Sequence, residues 1–338
     1  MKKSILTFTA LLAALVLLAG CSKKGGDAAG APAKSEPKRV MLQWVSGNEN
    51  GGWYIINAGL SKLIAEQAPH IQITVVPGGG VMNCITVGEG ESELGFGMPN
   101  LVMDAAQGRA PFEKKYEDLR GIANGFSSNY YHLVAAQSTG VKTFDDLVKY
   151  PKLRMDVTQK GSSGEDVFAK IMKFYLNTSY EEWEKKGAKF DFNAYSAITA
   201  NFGDRHIDFT GVNIIPPTSV VQECAAARPI NLVALPEDLR QTMRAQGYGL
   251  ATIKKEMYPS ILTEDVPTIT TGTMAMCNKS LDDEVVYTIT KIICENPERL
   301  ANIDKGLSGF MANEPWKDMP IPLHPGAERY YREKGYIK

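Results

Sequence analysis

Three times in the chain a short β-branched or apolar run stops at a polar, glycine-rich loop, and an amphipathic stretch begins directly after it. The loops read "SGNENGGWY" at 46–54, "PGGGVMN" at 77–83 and "KGSSGED" at 160–166. This succession constrains the fold more than any other feature, because parallel strands need a crossover, usually a helix, to connect them. The runs "RVMLQWVSG" (39–47), "IQITVVPGGG" (71–80) and "ELGFGMP" (93–99) predict the first three strands. The helices between them are predicted by "WYIINAGLSKLIAEQAP" (53–69), with Ile56, Leu60, Leu63 and Ile64 at helical spacing, and by "VMNCITVGEGE". A parallel sheet of βαβ units is expected.

The later text repeats the logic. "YYHLVAAQ" (130–137) and "IDFTGVNII" (207–215) are strand-like, "VKTFDDLVKY" is a short helix, and "KLRMDVTQKGSSGEDVFAKIMKFY" is strand, loop and helix. "TITTGTMAMCNK" (268–279) is β-rich, and "DDEVVYTITKIICENPERLANI" (282–303) predicts an amphipathic helix broken at Asn296-Pro297. Two α/β lobes follow, with 130–137 and 268–276 as the crossings between them. Lobe I is expected at 39–132 and 272–338, and lobe II at 133–271.

The N-terminus has a different logic. Lys2 and Lys3 precede an uncharged run, Ile5 to Gly20, too short and too poorly flanked for a comfortable membrane span but laid out as a secretory signal. Its end, Leu18-Ala19-Gly20-Cys21, resembles the lipobox of bacterial lipoproteins, which implies a leader at 1–20 and lipidation of Cys21 as the first mature residue. A plain signal peptide with Cys21 incidental is the alternative. Residues 21–38 carry no bulky apolar side chain after the cysteine and read as a flexible tether.

Removing residues 1–20 from the 338 leaves 318, enough for two lobes, and the 44% hydrophobic content supports a sizeable core. Formal charge is −1, or −3 once Lys2 and Lys3 leave, which argues against a nucleic-acid partner. No later apolar run reaches spanning length, so membrane contact is expected through the lipid alone. Cys84, Cys224, Cys277 and Cys294 form no C-x-x-C pair, and His70, His132, His206 and His324 show no ligand-type spacing with them, so no metal is expected. Buried thiols, or one disulfide at most, fit better.

A glycine loop at the carboxyl end of a strand is where open α/β sheets bind ligands, and a helix starting there offers free N–H groups and a positive dipole end. Taken singly, each loop is also explained as a tight turn with a cap. The enzyme motifs fail letter by letter: neither Gly47, Gly51, Gly52 nor Gly78, Gly79, Gly80 makes G-x-G-x-x-G, no P-loop lysine follows, and Glu165 stands where G-x-S-x-G needs glycine. Neither a catalytic constellation nor a cofactor is expected.

The ordered set "GGWY...AGLSKLI", "PGGGVMNCITVGEGESELGFGMPN", "LRGIANGFSSNYYHLVAAQSTGVKTFDDL", "GSSGEDV", "EDVPTITTGTMAMCN" and "PIPLHPGAERYYREKG" resembles the solute-binding component of tripartite ATP-independent periplasmic (TRAP) transporters, in the TAXI branch. The resemblance implies a two-lobed periplasmic-binding-protein-like fold of type II, α/β, with a hinge and a central cleft. It further implies capture of a small organic anion or amino acid, such as glutamate, glutamine or a dicarboxylate, and delivery to integral membrane subunits. It places Tyr54 at the second aromatic of the first motif, Asn83 at a polar helix start, Asn100 after the third strand, and Ser162, Ser163 and Gly164 in an anion-facing loop. The first loop departs from the family pattern at Asn48, Glu49, Asn50 and Trp53, and "GVNIIPP" (211–217) departs at the strand end.

The remaining candidates are Asn48, Gly52, Gly79 and Gly80 in the loops, Trp53 beside Tyr54, and Thr210 and Asn213 at a strand end. For Trp53 and Tyr54 core packing is the competing reading, and Thr210 and Asn213 could simply cap. No arginine lies in the three loops, so neutral donors would hold a carboxylate, and Glu49, if it points inward, would receive an ammonium group. A sensory receptor partnering a histidine kinase and a secreted enzyme on a similar fold remain the alternatives.

Overall fold

The computed structural model describes residues 38–49 and 51–338; the expected leader, the lipidation site Cys21, almost all of the tether and Asn50 lie outside the described residues. In chain order the strands are β1 (Val40–Val45), β2 (Ile71–Val76), β3 (Leu94–Gly97), β4 (Leu119–Ala123), β5 (Ser128–Ala136), β6 (Arg154–Asp156), β7 (Lys189–Asp191), β8 (Phe209–Ile214), β9 (Ile230–Leu232), β10 (Gly249–Ile253), β11 (Val266–Gly272) and β12 (Met274–Asn278). They form two sheets, one of five strands in the order β2-β1-β3-β12-β4 and one of seven in the order β10-β11-β5-β8-β6-β7, with β9 on β5. The chain is thus α/β and two-lobed.

The expected parallel sheets are mixed. β1 runs parallel to β2 and β3, and β6 to β7 and β8, as the βαβ pattern requires. β12 enters the first sheet antiparallel to β3 and β4, and β5 enters the second antiparallel to β8 and β11. Strands that arrive from the other lobe do not come through a crossover helix, so nothing forces them to run parallel.

The crossings also move. The chain leaves the first sheet after Ala123 and enters the second at Ser128, so the crossing is 124–127 and the expected crossing 130–137 lies inside lobe II. The expected boundary at 132/133 accordingly falls within β5. Its residues are buried on both faces: Tyr131, Leu133 and Ala135 join one core cluster, Val134 and Ala136 another. The second crossing does sit within 268–276, at Thr273 between β11 and β12.

Lobe I packs Trp44, Ile56, Leu60, Phe96 and Leu101 with Val286, Ile289 and Tyr331 from the C-terminal helices Asp283–Glu295 and Pro325–Glu333. The expected helix break occurs at Asn296, where Pro297 opens a second helix, Pro297–Ile303. Tyr331 locks the terminal helix to the sheet by donating its hydroxyl to the Ile122 carbonyl at 2.8 Å. Cys84, Cys224, Cys277 and Cys294 are free and buried. No helix among the described residues is long and apolar enough to cross a membrane.

Candidate functional site

The three glycine loops meet. The loop after β1 ends in the helix Gly52–Gln67, the loop after β2 in Gly80–Gly88, and the loop after β6 in Ser163–Lys170. Gly52, Gly80 and Ser163, the first residue of each helix, all line one cavity of about 30 Å³ between the lobes. Their amides find no acceptor among the described residues. First-turn N–H groups are left over by helix geometry, and the dipole end adds partial positive charge there.

Gly47, Asn48, Gly51 and Trp53 from the first loop, Gly78 and Gly79 from the second, and Ser162 from the third complete much of the wall. Asn129 of β5, Asn213 and Ile214 of β8, and Tyr195 supply the rest. No charged side chain lines it among the described residues. Burial pushes the Tyr195 hydroxyl up to about 12, a rise that its hydrogen bond with Asn48 opposes, so Tyr195 stays neutral at the lobe boundary.

Of the residues singled out from the sequence, Asn48, Gly52, Trp53, Gly79, Gly80, Ser162, Ser163 and Asn213 are brought together here. Glu49 is exposed and outside the lining, so the structure gives it no ammonium to receive. Tyr54 is half-buried one residue beyond the wall, because only the inward-facing side of the first helical turn meets the cavity. Thr210 is fully buried behind it in β8, and Gly164 packs against the Thr158 side chain.

Asn83 and Asn100 hold the walls from outside. Asn83 donates to the carbonyls of Ser46 (2.6 Å) and Phe96 (2.8 Å), and its Oδ1 accepts the Gly79 N–H at 2.9 Å. One side chain thereby ties together the ends of β1 and β3 and the loop after β2. Asn100 Oδ1 accepts from Thr271 Oγ1 at 3.0 Å and lines a second, larger interlobe cavity of about 490 Å³. There Lys170 sits between Asp166 at 3.0 Å and Asp104 at 3.4 Å, while Arg109 pairs with Asp104 at 2.7 Å, so the charges are spent on one another.

Sequence reasoning missed Asn129, Tyr195 and Ile214, which lie outside the three loops. Asn129 lies just before the predicted strand 130–137, and Ile214 reads as an ordinary apolar residue of the predicted strand 207–215. Tyr195 comes from a stretch with no glycine motif and reaches the site only through the lobe interface.

The lobes are shut. The amides of Val81 and Met82 donate to the Gly161 carbonyl at 3.0 and 3.3 Å across the boundary. Gly161 adopts φ +78°, a left-handed conformation that turns this carbonyl toward lobe I and favours glycine. A cavity of about 30 Å³ admits about two waters, so a ligand of several heavy atoms enters only if the lobes part.

The fold has relatives among solved structures. The periplasmic binding protein BugD aligns at 12% identity over 88% of this chain and 96% of its own, with a TM-score of 0.52. A structure described as a periplasmic transporter aligns at 14% identity over 88% and 93%, with a TM-score of 0.49. The alkanesulfonate-binding protein SsuA from Xanthomonas axonopodis pv. citri, bound to MOPS, aligns at 14% identity over 88% and 84%, with a TM-score of 0.42. At 12% identity the likeness to BugD speaks to the fold, which is that of a periplasmic binding protein. Residues 45–335, nearly the whole described unit, match the model of the NMT1-like family, and the chain belongs to that family.

Proposed function

We propose that this protein is an extracytoplasmic solute-binding receptor for a transporter, and that its solute is a small carboxylate. The observation that carries the reading is the convergence of three helix N-termini on one uncharged interlobe cavity. Leftover N–H groups and dipole ends suit an anionic group, and the amides of Asn48, Asn129 and Asn213 supply neutral donors beside them. Because Glu49 is exposed, the ammonium-receiving role expected of it falls away, and glutamate, glutamine and dicarboxylates stand level.

The finer reading is a TRAP receptor of the TAXI branch, supported by the ordered motifs of the sequence. Cys21, with two or more acyl chains, would hold it at the outer face of a membrane, since one chain binds only marginally. Mass spectrometry of the mature N-terminus checks the anchor: an unmodified cysteine overturns it. Uptake with its membrane subunits in proteoliposomes checks the class: a TRAP system runs on an ion gradient, and an ATP requirement would reject that assignment.

The ligand is tested by a thermal-shift screen of amino acids, dicarboxylates and keto acids on refolded protein. A solute at about a hundred times its dissociation constant adds about 2.7 kcal/mol. Stabilisation by carboxylates is expected; stabilisation by sugars or polyamines alone would overturn the anion site.

A further inference from the structure

Thr273 is the whole of the second crossing, one residue between β11 and β12, and it is fully buried. Its Oγ1 lies 2.8 Å from Trp53 Nε1, 3.0 Å from Asn129 Nδ2 and 3.0 Å from Ser127 Oγ. Trp53 belongs to the first glycine loop of lobe I, Asn129 to the first strand of lobe II, and Ser127 to the other crossing. Trp53 and Asn129 also line the cavity.

An indole N–H and an amide NH₂ can only donate, so both give their protons to the threonine oxygen, and the Ser127 hydroxyl makes the third contact with it. One hydroxyl therefore joins both crossings, both lobes and two walls of the cavity. We infer that Thr273 is a positioning residue for ligand capture, acting through Trp53 and Asn129 to hold the lobes in the closed arrangement. This rests on the reading of the cavity as the ligand site, although the hinge half of it can be tested without ligand.

The physical reason is the cost of orphaned donors. Trp53, Ser127 and Asn129 are each more than nine-tenths buried. Without the Thr273 hydroxyl, Trp53 Nε1 and Asn129 Nδ2 lose their acceptor at buried positions and gain bulk water when the lobes part, so opening becomes favoured. A ligand that touches Trp53 or Asn129 stabilises the same closed state through contacts it can make only there.

The test is Thr273→Val, nearly isosteric, against Thr273→Ser, in the full chain. The amides of Val81 and Met82 report lobe opening without ligand, because their acceptor is across the boundary. Thr273→Val should speed hydrogen exchange at these two amides about tenfold and weaken L-glutamate binding about 10- to 100-fold, while exchange in β8 and β12 stays unchanged. Thr273→Ser should behave as the parent protein.

Unchanged exchange at Val81 and Met82 overturns the inference, as does equal acceleration throughout the core strands, which would mean general loosening. If the parent protein binds neither L-glutamate nor the other carboxylates while Thr273→Val still opens the lobes, the ligand reading fails and the hinge role stands. Should Thr273→Val not fold, Ser127→Ala removes one of the three contacts, and a smaller rise at the same two amides is then required.

Discussion

Gly79 and Gly161 meet backbone to backbone across the lobe boundary: a Cβ on Gly79 would lie 2.9 Å from the Gly161 carbonyl oxygen and 3.0 Å from Ser162 Cα. Neither obstacle is a movable side chain. Gly79→Ala is therefore expected to hold the lobes apart without harming either core. Solution scattering should show a larger radius for the variant, and carboxylate binding should weaken about tenfold or more. A variant that closes and binds normally would show that the two loops can slide past each other.

The glycine loops made much of this legible. Asn48, Gly52, Gly79, Gly80, Ser162 and Ser163 could be named because strand, loop and helix follow each other within a few residues, and that order fixes which end of a sheet they occupy. What sequence could not show is which polar residue faces the ligand and which braces its neighbours. Asn83 looks like a donor at a helix start; it is a brace because three backbone groups from separate segments converge on it. Tyr195 and Asn129 were invisible for the converse reason, since their place at the cavity depends on how lobe II docks. The first crossing was misplaced because the strand-like text of β5 starts with polar Ser128 and Asn129, which already pair with Gly272 and Thr271 of β11.

Asn83→Ala leaves the Ser46 and Phe96 carbonyls and the Gly79 amide without their partner, in a residue only 1% exposed. A loss of about 2 to 4 kcal/mol of folding stability is expected, because several buried groups are orphaned at once. Carboxylate binding should weaken as well, through the displaced loop. Urea unfolding separates the two: reduced binding with unchanged stability would make Asn83 a ligand contact and reject the brace.

His132 gives the fold a pH dependence. Its Nε2 lies 3.0 Å from the Tyr258 hydroxyl, which accepts the Thr218 N–H, and its Nδ1 is 2.8 Å from the Tyr130 carbonyl. Burial outweighs these contacts and lowers its pKa from 6.5 to about 4, so the folded protein holds it neutral. The unfolded chain takes up the proton first as pH falls. Stability from this group is complete above about 6.5 and is lost progressively as pH drops to about 4, on the order of 3 kcal/mol in all. His132→Gln should be less stable at neutral pH and should flatten the profile in that window. An identical slope in parent and variant would assign the pH dependence to other groups.

Lys170 carries the last prediction, because it is an almost buried cation shared between two carboxylates in different lobes. Its side chain is 9% exposed, against 4% for Asp166 and 13% for Asp104. Burial already raises the Asp166 pKa, with Lys170 the main influence opposing it. Lys170→Met removes that opposition and leaves Asp166 facing Asp104 without a cation between them, which should cost about 3 to 5 kcal/mol, the usual penalty for breaking a buried pair. Asp166→Asn added to Lys170→Met removes the stranded charge, and should recover much of the loss even though it deletes a second polar partner and weakens the acceptor of the Tyr248 hydroxyl, now 2.9 Å away. The interlobe half of the pair, to Asp104, gives a separate signature: Asp104→Asn should destabilise less, since Asp166 still holds Lys170, yet should loosen closure and speed exchange at Val81 and Met82. Equal destabilisation by Asp104→Asn and Lys170→Met, with no change at those amides, would show that the contact stabilises the fold and takes no part in holding the lobes shut.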